Sequence, residues 1–169
     1  MAGSSTASVL RVFYYDLGSP ECYLAAEQIA GGACDVVPEW EPVLFGVRPV
    51  QANREEIERR ATEQGLQPLR WPAQWPPDTR QAMLAATYAK RAGRTVAFSL
   101  AAFRQAFAAG RDLGDLDTVL IAAAACELHP KALLKAIELR SVAEALDAAT
   151  NRARAAGVES LPAIREARG

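Results

Sequence analysis

The sequence predicts a single α/β domain that begins with a β-α-β unit and continues as a large helical block. A strand-length run of β-branched, leucine and aromatic residues at 9–15 precedes a turn, a helix-length segment and a strand-like segment at 35–43. From about residue 50 to 156 the pattern is almost wholly helical. A chain of 169 residues is long enough for one core and short for two. We therefore expect a disordered tail over residues 1–8 and a single domain over residues 9–169.

The turn after the first strand carries strong helix-start signals. Ser19 followed by Pro20 is typical of a helix N-cap followed by proline at the first helical position. Glu21 then lies in the first turn, where the helix dipole favours a negative charge. The pattern predicts a helix from about residue 20 to residue 30, which the glycine pair after it ends.

The remaining elements follow from hydrophobic spacing and from the positions of glycine and proline. Pro38 and Pro42 cannot donate to a β ladder, so the segment 35–43 is predicted to be an edge strand. The crossover helix makes this strand parallel to the first. The helices predicted in the block span residues 53–64, 79–92, 98–109, 115–128, 130–138 and 141–156. A short apolar segment at 160–164 is a candidate third strand.

Composition and cysteine spacing exclude several classes of function. Hydrophobic residues make up 50% of the chain and the formal net charge is −1, so neither disorder nor a basic surface for nucleic acid is indicated. The apolar run at 9–15 is short and contains Arg11, so it is neither a signal peptide nor a membrane span. Cys22, Cys34 and Cys126 form no CxxC motif and have no metal-ligand spacing. We expect free thiols, a cytoplasmic location, no metal, and a small molecule or another protein as partner.

The order of these motifs resembles the DsbA branch of the thioredoxin superfamily. The shared features are a first strand, an x-P-x-C turn at the mouth of a helix, a second parallel strand, a helical insertion and a proline that opens a further strand. The segment D-x-G-S-P-E-C-Y-L-A, residues 16–25, resembles the group of 2-hydroxychromene-2-carboxylate isomerases and kappa-class glutathione transferases. The resemblance covers residues 9 to about 165. It implies an α/β thioredoxin-like fold with a large α-helical insertion at about 50–156. Compared with that fold, we expect the chain to lack the usual C-terminal strand and helix.

The resemblance implies a site around the turn formed by residues 19–22. DsbA-type oxidases have their attacking cysteine where this chain has Ser19, so a dithiol cycle within the turn is impossible. In the isomerase and transferase group, a matching serine hydrogen-bonds the thiolate of bound glutathione, which implies glutathione or an equivalent thiol such as mycothiol as the cofactor. The resemblance places further contacts to the thiol at Pro20, Asn53, Leu161 and Pro162. It also implies that the Leu161–Pro162 peptide bond is cis.

Three functions stay open at this point. The first is a thiol-dependent isomerase or transferase, in which a thiolate bound over Ser19 adds reversibly to an electrophilic small molecule. Candidate residues of its substrate pocket are Tyr23, Trp71 and Trp75, because aromatic faces stack on planar ligands. The second is a DsbA-like monothiol oxidoreductase that uses Cys22 for mixed-disulfide exchange. The third is a redox-inactive scaffold that presents the tryptophan-containing loop to a partner protein.

Each candidate residue also has a purely structural interpretation. Ser19 can act as a helix cap alone, and Cys22 can be an inert buried residue. Trp71 and Trp75 can simply fasten their proline-rich loop to the core. A last strand without a further neighbour has an unpaired edge, which predicts either a homodimer formed through that strand or a compensating local rearrangement.

Overall fold

Three strands and seven helices follow one another in the residues that the computed structural model describes, 9–46 and 54–167. The predicted tail at 1–8 and the candidate residue Asn53 lie outside the described residues. In chain order the elements are β1 (Leu10–Tyr15), α1 (Pro20–Ala30), β2 (Glu39–Pro42), α2 (Arg54–Glu63), α3 (Arg80–Arg91), α4 (Thr95–Phe107), α5 (Leu116–Ala125), α6 (Pro130–Glu138), α7 (Arg140–Ala155) and β3 (Ala163–Ala167).

The strands form one sheet in which β1 is central and the order is β2-β1-β3. β1 and β2 are parallel, with Val12 opposite Glu39, which confirms the predicted β-α-β start. β3 runs antiparallel to β1, with Tyr14 opposite Ala163. β2 lies at one edge of the described sheet, as predicted, and β3 lies at the other. Pairing of β3 with a second chain stays a prediction.

Several element boundaries differ from the prediction. β2 begins at Glu39 rather than at residue 35, directly after Pro38, which has no N–H to donate to a ladder. β3 covers 163–167 rather than 160–164, because it likewise begins only after Pro162 and then continues into charged residues. α4 begins at residue 95 instead of 98. α5 ends at residue 125 rather than 128, since the next turn places Glu127 at a φ of 62°.

Alternate residues of β1 pack into two different hydrophobic clusters. Phe13 and Tyr15 face the main core, to which all of the helices α1 to α7 contribute residues. Val12 and Tyr14 face a smaller cluster that includes Ala149 of α7. Side chains of a strand point alternately to opposite faces of its sheet, so helices cover both faces of β1. The carboxyl end of β1, where α1 begins, is therefore enclosed from both sides.

No helix of residues 9–46 and 54–167 is long and apolar enough to cross a membrane. Within the same residues, no group of three or more His, Cys, Asp or Glu side chains is arranged to hold a metal ion. Cys126 is buried at the end of α5, and its thiol lies 3.3 Å from the carbonyl oxygen of Ala123, so it packs in the core.

Candidate functional site

Ser19 caps the first helix, as its sequence predicts. The Cys22 backbone N–H donates to the Ser19 Oγ at 3.2 Å, and the Tyr23 N–H donates to the Ser19 carbonyl at 3.1 Å. Pro20 has no N–H, so within the described residues the Glu21 N–H is the one first-turn amide that donates to no other group. The capping bond uses a lone pair of the Ser19 oxygen and leaves the hydroxyl proton to be donated, either to the Cys22 sulfur, to which the Ser19 side chain is hydrogen-bonded, or to a ligand. The helix mouth therefore offers one hydroxyl and one amide proton to a ligand.

Backbone hydrogen bonds lock the turn that leads to Ser19. The Ser19 N–H donates to the Asp16 carbonyl at 3.1 Å, and the Gly18 N–H donates to the Asp16 Oδ1 at 3.0 Å. The Leu17 N–H lies 3.3 Å from the Met83 Sδ of α3. These contacts connect the turn both to itself and to the helical block, so the Ser19 side chain has a fixed position.

The tryptophan-containing loop is fastened directly to this turn. The Trp75 Nε1–H donates to the Gly18 carbonyl at 3.2 Å, and the Trp71 and Trp75 rings meet edge to face with centroids 5.7 Å apart. The Trp71 Nε1–H donates to the Glu58 carboxylate at 2.8 Å, and the Arg54 guanidinium lies over the Trp71 ring, 4.8 Å from its centroid. The fastening interpretation is therefore correct, and the same bond places Trp75 beside the turn.

Tyr23 lies in the core and not in a pocket. Its side chain is 3% exposed and stacks on Phe107 with ring centroids 5.6 Å apart. Burial raises its pKa, and the neighbouring Glu27 carboxylate raises it further. The sequence placed Tyr23 next to the turn, but α1 turns this position toward α4, so the pocket prediction for Tyr23 does not hold.

Cys22 is fully buried, and its thiol is chemically suppressed. Burial raises its pKa to about 12, and hydrogen bonding to the Ser19 side chain and the Asp16 backbone offsets this only in part. A thiol with this pKa is protonated at neutral pH, whereas the attacking species in disulfide exchange is the thiolate. The geometry therefore speaks against Cys22 as a nucleophile and favours the structural interpretation of this residue.

We expect iodoacetamide at neutral pH to label Cys34 quickly in the folded protein and to leave Cys22 unmodified. Cys34 is partly exposed, whereas Cys22 and Cys126 are buried and have raised pKa values. Mass spectrometry of peptides after short labelling tests this, with the protein labelled in denaturant as the control in which all three cysteines react. Fast labelling of Cys22 in the folded protein would restore the monothiol interpretation.

The Leu161–Pro162 peptide bond is cis and lies at the same end of the sheet as the turn. β1 and β3 pair with Tyr14 opposite Ala163, and continuing this register places Pro162 beside Tyr15 and Leu161 beside Asp16. Leu161 also packs against both hydrophobic clusters. Ser19, Pro20, Trp75 and the Leu161–Pro162 pair thus share the carboxyl end of β1.

Asp16 is a further candidate, which in the sequence is only the first residue of the segment 16–25. Its side chain is 1% exposed; Oδ1 accepts the Gly18 N–H, and the Thr79 hydroxyl donates to Oδ2 at 3.4 Å. Burial raises its pKa to about 6, and these two hydrogen bonds offset part of the rise. An aspartate followed two residues later by glycine is a local signal for this turn. Its burial, however, depends on a residue 63 positions away.

Comparison with known proteins places the whole arrangement in a family. Residues 12–165 match the DSBA-like thioredoxin domain. The chain belongs to this family. As a DSBA-like thioredoxin domain it has the predicted fold, and the predicted resemblance to the DsbA branch and the isomerase group is confirmed. No curated protein sequence matches the chain.

Solved structures resemble this DSBA-like thioredoxin domain at low sequence identity. A 2-hydroxychromene-2-carboxylate isomerase matches with a TM-score of 0.78 and 18% identity, over 92% of this chain and 84% of that one. A probable DsbA oxidoreductase from Streptomyces coelicolor matches with a TM-score of 0.75 and 17% identity, over 94% and 80%. The cytosolic disulfide reductase DsbM from Pseudomonas aeruginosa, with GSH, matches with a TM-score of 0.71 and 15% identity, over 95% and 90%. At these identities the likeness shows the fold alone.

Proposed function

We propose that this DSBA-like thioredoxin domain is a thiol-dependent isomerase or transferase that binds a low-molecular-weight thiol as its thiolate over the turn at 19–22. One observation carries the proposal. Ser19 stands at the helix mouth with a hydroxyl proton to donate, while Cys22, the one cysteine of the turn, is buried and protonated. Such a turn lacks a nucleophile of its own and is suited to hold a nucleophile that a small molecule brings.

The helix mouth supplies the groups that stabilise an external thiolate. The Ser19 hydroxyl and the Glu21 N–H donate to the sulfur, and the positive end of the α1 dipole adds to the stabilisation. Donors and a helix N-terminus lower the pKa of a thiol and so raise the fraction of thiolate at neutral pH. The protein thus activates the thiol without supplying a general base in contact with it.

The bound thiolate then adds to a conjugated carbonyl compound. The sulfur forms a bond to the β-carbon, the carbon–carbon double bond becomes single, and its electron pair moves onto the carbonyl oxygen as an enolate. Rotation about the single bond followed by expulsion of the thiolate gives an isomer, whereas protonation of the adduct gives a transferase product. Trp75, fastened beside the turn, offers an apolar face to a planar electrophile of this kind.

Glutathione is the first thiol to test, and a cytoplasmic location fits this choice. The DsbM structure carries GSH and the name of that protein calls it cytosolic, which supports both points by similarity of fold. The backbone of Leu161, next to the cis-proline, is placed to pair with the main chain of a peptide thiol. Use of Cys22 in mixed-disulfide exchange is disfavoured by its burial and its raised pKa.

Calorimetric titration with reduced glutathione tests the proposal in the wild-type protein and in S19A and S19G. Both variants remove the hydroxyl donor, and we expect each to weaken thiol binding roughly tenfold or more, because hydrogen bonds to charged groups are strong. S19G is the matched control for helix capping, since glycine at an N-cap costs only about a few tenths of a kcal/mol and adds no charge, whereas S19A loses about 1 kcal/mol of stability. S-methylglutathione, which cannot form a thiolate, should not bind.

Two results would overturn the proposal. Absence of any thiol affinity in the wild-type protein, with glutathione and with mycothiol, would favour the redox-inactive scaffold. Thiol binding by S19G at wild-type strength would show that the Ser19 hydroxyl serves only as a cap.

A further inference from the structure

A cavity beside β2 lies apart from the site around Ser19. Its volume is about 210 Å³, and it is formed by the end of β2 together with side chains of α3 and α7. Three cations line it, Lys90 and Arg91 from α3 and Arg152 from α7. The cavity shares no residue with the turn at 19–22, so it is a separate feature of the molecule.

One carboxylate, that of Glu41, holds two of these cations in place. Glu41 lies opposite Tyr14 in the parallel strand pair and so faces the same side of the sheet, toward the smaller hydrophobic cluster. Its side chain is 13% exposed; one oxygen accepts from the Arg152 Nη2 at 3.1 Å, and the other accepts from the Lys90 Nζ. Lys90 also pairs with Glu39 at 3.0 Å. The carboxylates thus orient both cations before any ligand arrives.

The third cation is fixed by a contact between the two helices. The Arg91 Nη2 donates to the Ser141 carbonyl at 2.9 Å, and its Nη1 lies 3.3 Å from the Ser141 Oγ. This contact joins the end of α3 to the start of α7, so the two helices that form the walls are held together. A site whose donors are already in place loses less conformational freedom when a ligand binds.

The cavity has positive charge and hydrogen-bond donors to spare. Among the described residues that line it or pair with its lining, three cations stand against two carboxylates, which leaves a net charge of +1. Burial alone would lower the pKa of Lys90, but hydrogen bonds to Glu41 and Glu39 outweigh it and raise the pKa, so the ammonium stays charged. The contacts with these carboxylates leave further N–H groups on Lys90 and on Arg152. The surplus matches a ligand with a single negative charge.

The remaining walls are apolar and small. Pro42, Ala145 and Ala149 line the cavity, and its lining within the described residues includes no aromatic ring. Such walls cannot hydrogen-bond the additional oxygens of a phosphate group. With no ring to stack on, they favour an aliphatic body over a flat aromatic one. Pockets for drug-sized ligands have roughly 300–1,000 Å³, so the ligand of this smaller cavity is small.

We propose that this cavity is a binding site for a small aliphatic monocarboxylate. The carboxylate of the ligand pairs with Arg152 and Lys90, and its apolar body lies against Pro42, Ala145 and Ala149. Pairs of arginine and carboxylate are frequently bidentate, and the N–H groups that Glu41 leaves on Arg152 provide such a fork. Binding makes and breaks no covalent bond. The inference goes beyond the proposed function and does not depend on it.

An NMR titration with isovalerate at pH 7 tests the proposal on the wild-type protein. We expect the backbone amide signals of residues 87–91 and 145–152 to shift and those of residues 16–23 to stay in place. The Kd should be on the order of millimolar, because so small a ligand makes few contacts. Isovaleramide, which has the same shape without the charge, should not bind, and inorganic phosphate should bind at least about tenfold more weakly.

Two variants and one control locate the ligand. R152M removes the guanidinium while Lys90 still pairs with the buried carboxylate, and it should raise the Kd about tenfold or more. A145L keeps every charge and fills the cavity from a partly exposed position, so it should abolish binding. R140M is the matched control: this arginine also pairs with a glutamate, at 2.7 Å, but lies on α7 outside the cavity, and its loss should leave the Kd unchanged.

Each other result overturns the proposal. If isovalerate causes no shifts well above millimolar concentration, or shifts only residues 16–23, the cavity is not its site. Equal binding of isovaleramide would show that charge plays no part, and equal binding of phosphate would show a general anion site. An unchanged Kd in R152M would place the carboxylate elsewhere. Should A145L not fold, R152M decides alone, since the Arg152 side chain is 64% exposed and its loss leaves the core intact.

Discussion

D16N should be more stable than the wild-type protein above pH 6, by about 3 kcal/mol in the pH-dependent part of its free energy of unfolding. Folding raises the pKa of Asp16 from 3.8 to about 6, and each pKa unit corresponds to about 1.4 kcal/mol. Below pH 4 the carboxyl is protonated in both states and contributes no difference. As the pH rises through 4 the unfolded chain ionises first, so stability falls until the folded state also ionises near pH 6.

Urea unfolding of both proteins between pH 4 and pH 7.5 measures this difference. The gap between the two curves should open between pH 4 and pH 6 and then stay constant, because both states of the wild-type protein are ionised above that range. D112N serves as the control for loss of an exposed aspartate and should follow the wild-type curve. Parallel curves for D16N and the wild-type protein would mean that Asp16 titrates normally in the folded state.

S19C should gain a dithiol–disulfide cycle that the wild-type protein lacks. The substitution puts a thiol at the helix N-cap, where the dipole and the amide groups lower thiol pKa values to roughly 3.5–7.5. The buried Cys22 thiol is hydrogen-bonded to the Ser19 side chain, so a thiol at residue 19 lies next to it. The introduced thiol attacks a substrate disulfide and forms a mixed disulfide. Cys22 is too weakly ionised to attack a disulfide from solution, but in the mixed disulfide its target is the neighbouring sulfur of residue 19, and this proximity offsets its raised pKa. Attack by Cys22 displaces the product thiol and closes the intramolecular disulfide.

Thiol titration and insulin reduction check the S19C prediction. Treatment with oxidised glutathione should lower the number of titratable thiols in S19C by two, because its new cysteine pairs with Cys22. In the wild-type protein Cys22 should stay titratable. Insulin reduction should rise above background in S19C alone. The double variant S19C/C22A keeps the attacking thiol and should stop at a stable mixed disulfide. If S19C keeps all its thiols under oxidation, Cys22 is too deeply buried to act as the resolving group.

Local signals in the sequence were sufficient for the parts of the site that one segment builds alone. The cap at Ser19 and the proline after it predict α1, and the structure places this helix at the expected bounds, Pro20–Ala30. His129 and Pro130 act in the same way at the start of α6, where the His129 Nδ1 accepts the Lys131 N–H. In these cases the hydrogen-bond partners are a few residues apart, so spacing along the chain determines the geometry.

Local signals of this kind do not predict which distant segments come into contact. Tyr23 lies next to the turn in sequence, but its environment is set by Phe103 and Phe107 of α4. The burial of Asp16 likewise depends on Thr79 and on the tryptophan loop folding back over the turn. The sequence contains these residues but no local pattern that pairs them, because the pairing arises from the packing of α4 against α1 and of α3 against α4.

The central position of β1 has a consequence for the order in which the site is assembled. β1 pairs at one edge with β2, which follows it closely in the chain. At its other edge it pairs with β3, which is far away in the sequence, with Leu10 opposite Ala167. During synthesis, the turn and its cap form early, while the Leu161–Pro162 side arrives only after the whole helical block has left the ribosome. Until then a hydrophobic strand edge stays open to other chains, and a pairing so distant in sequence folds slowly. Expression conditions that lengthen this interval should therefore favour aggregation over the folded protein.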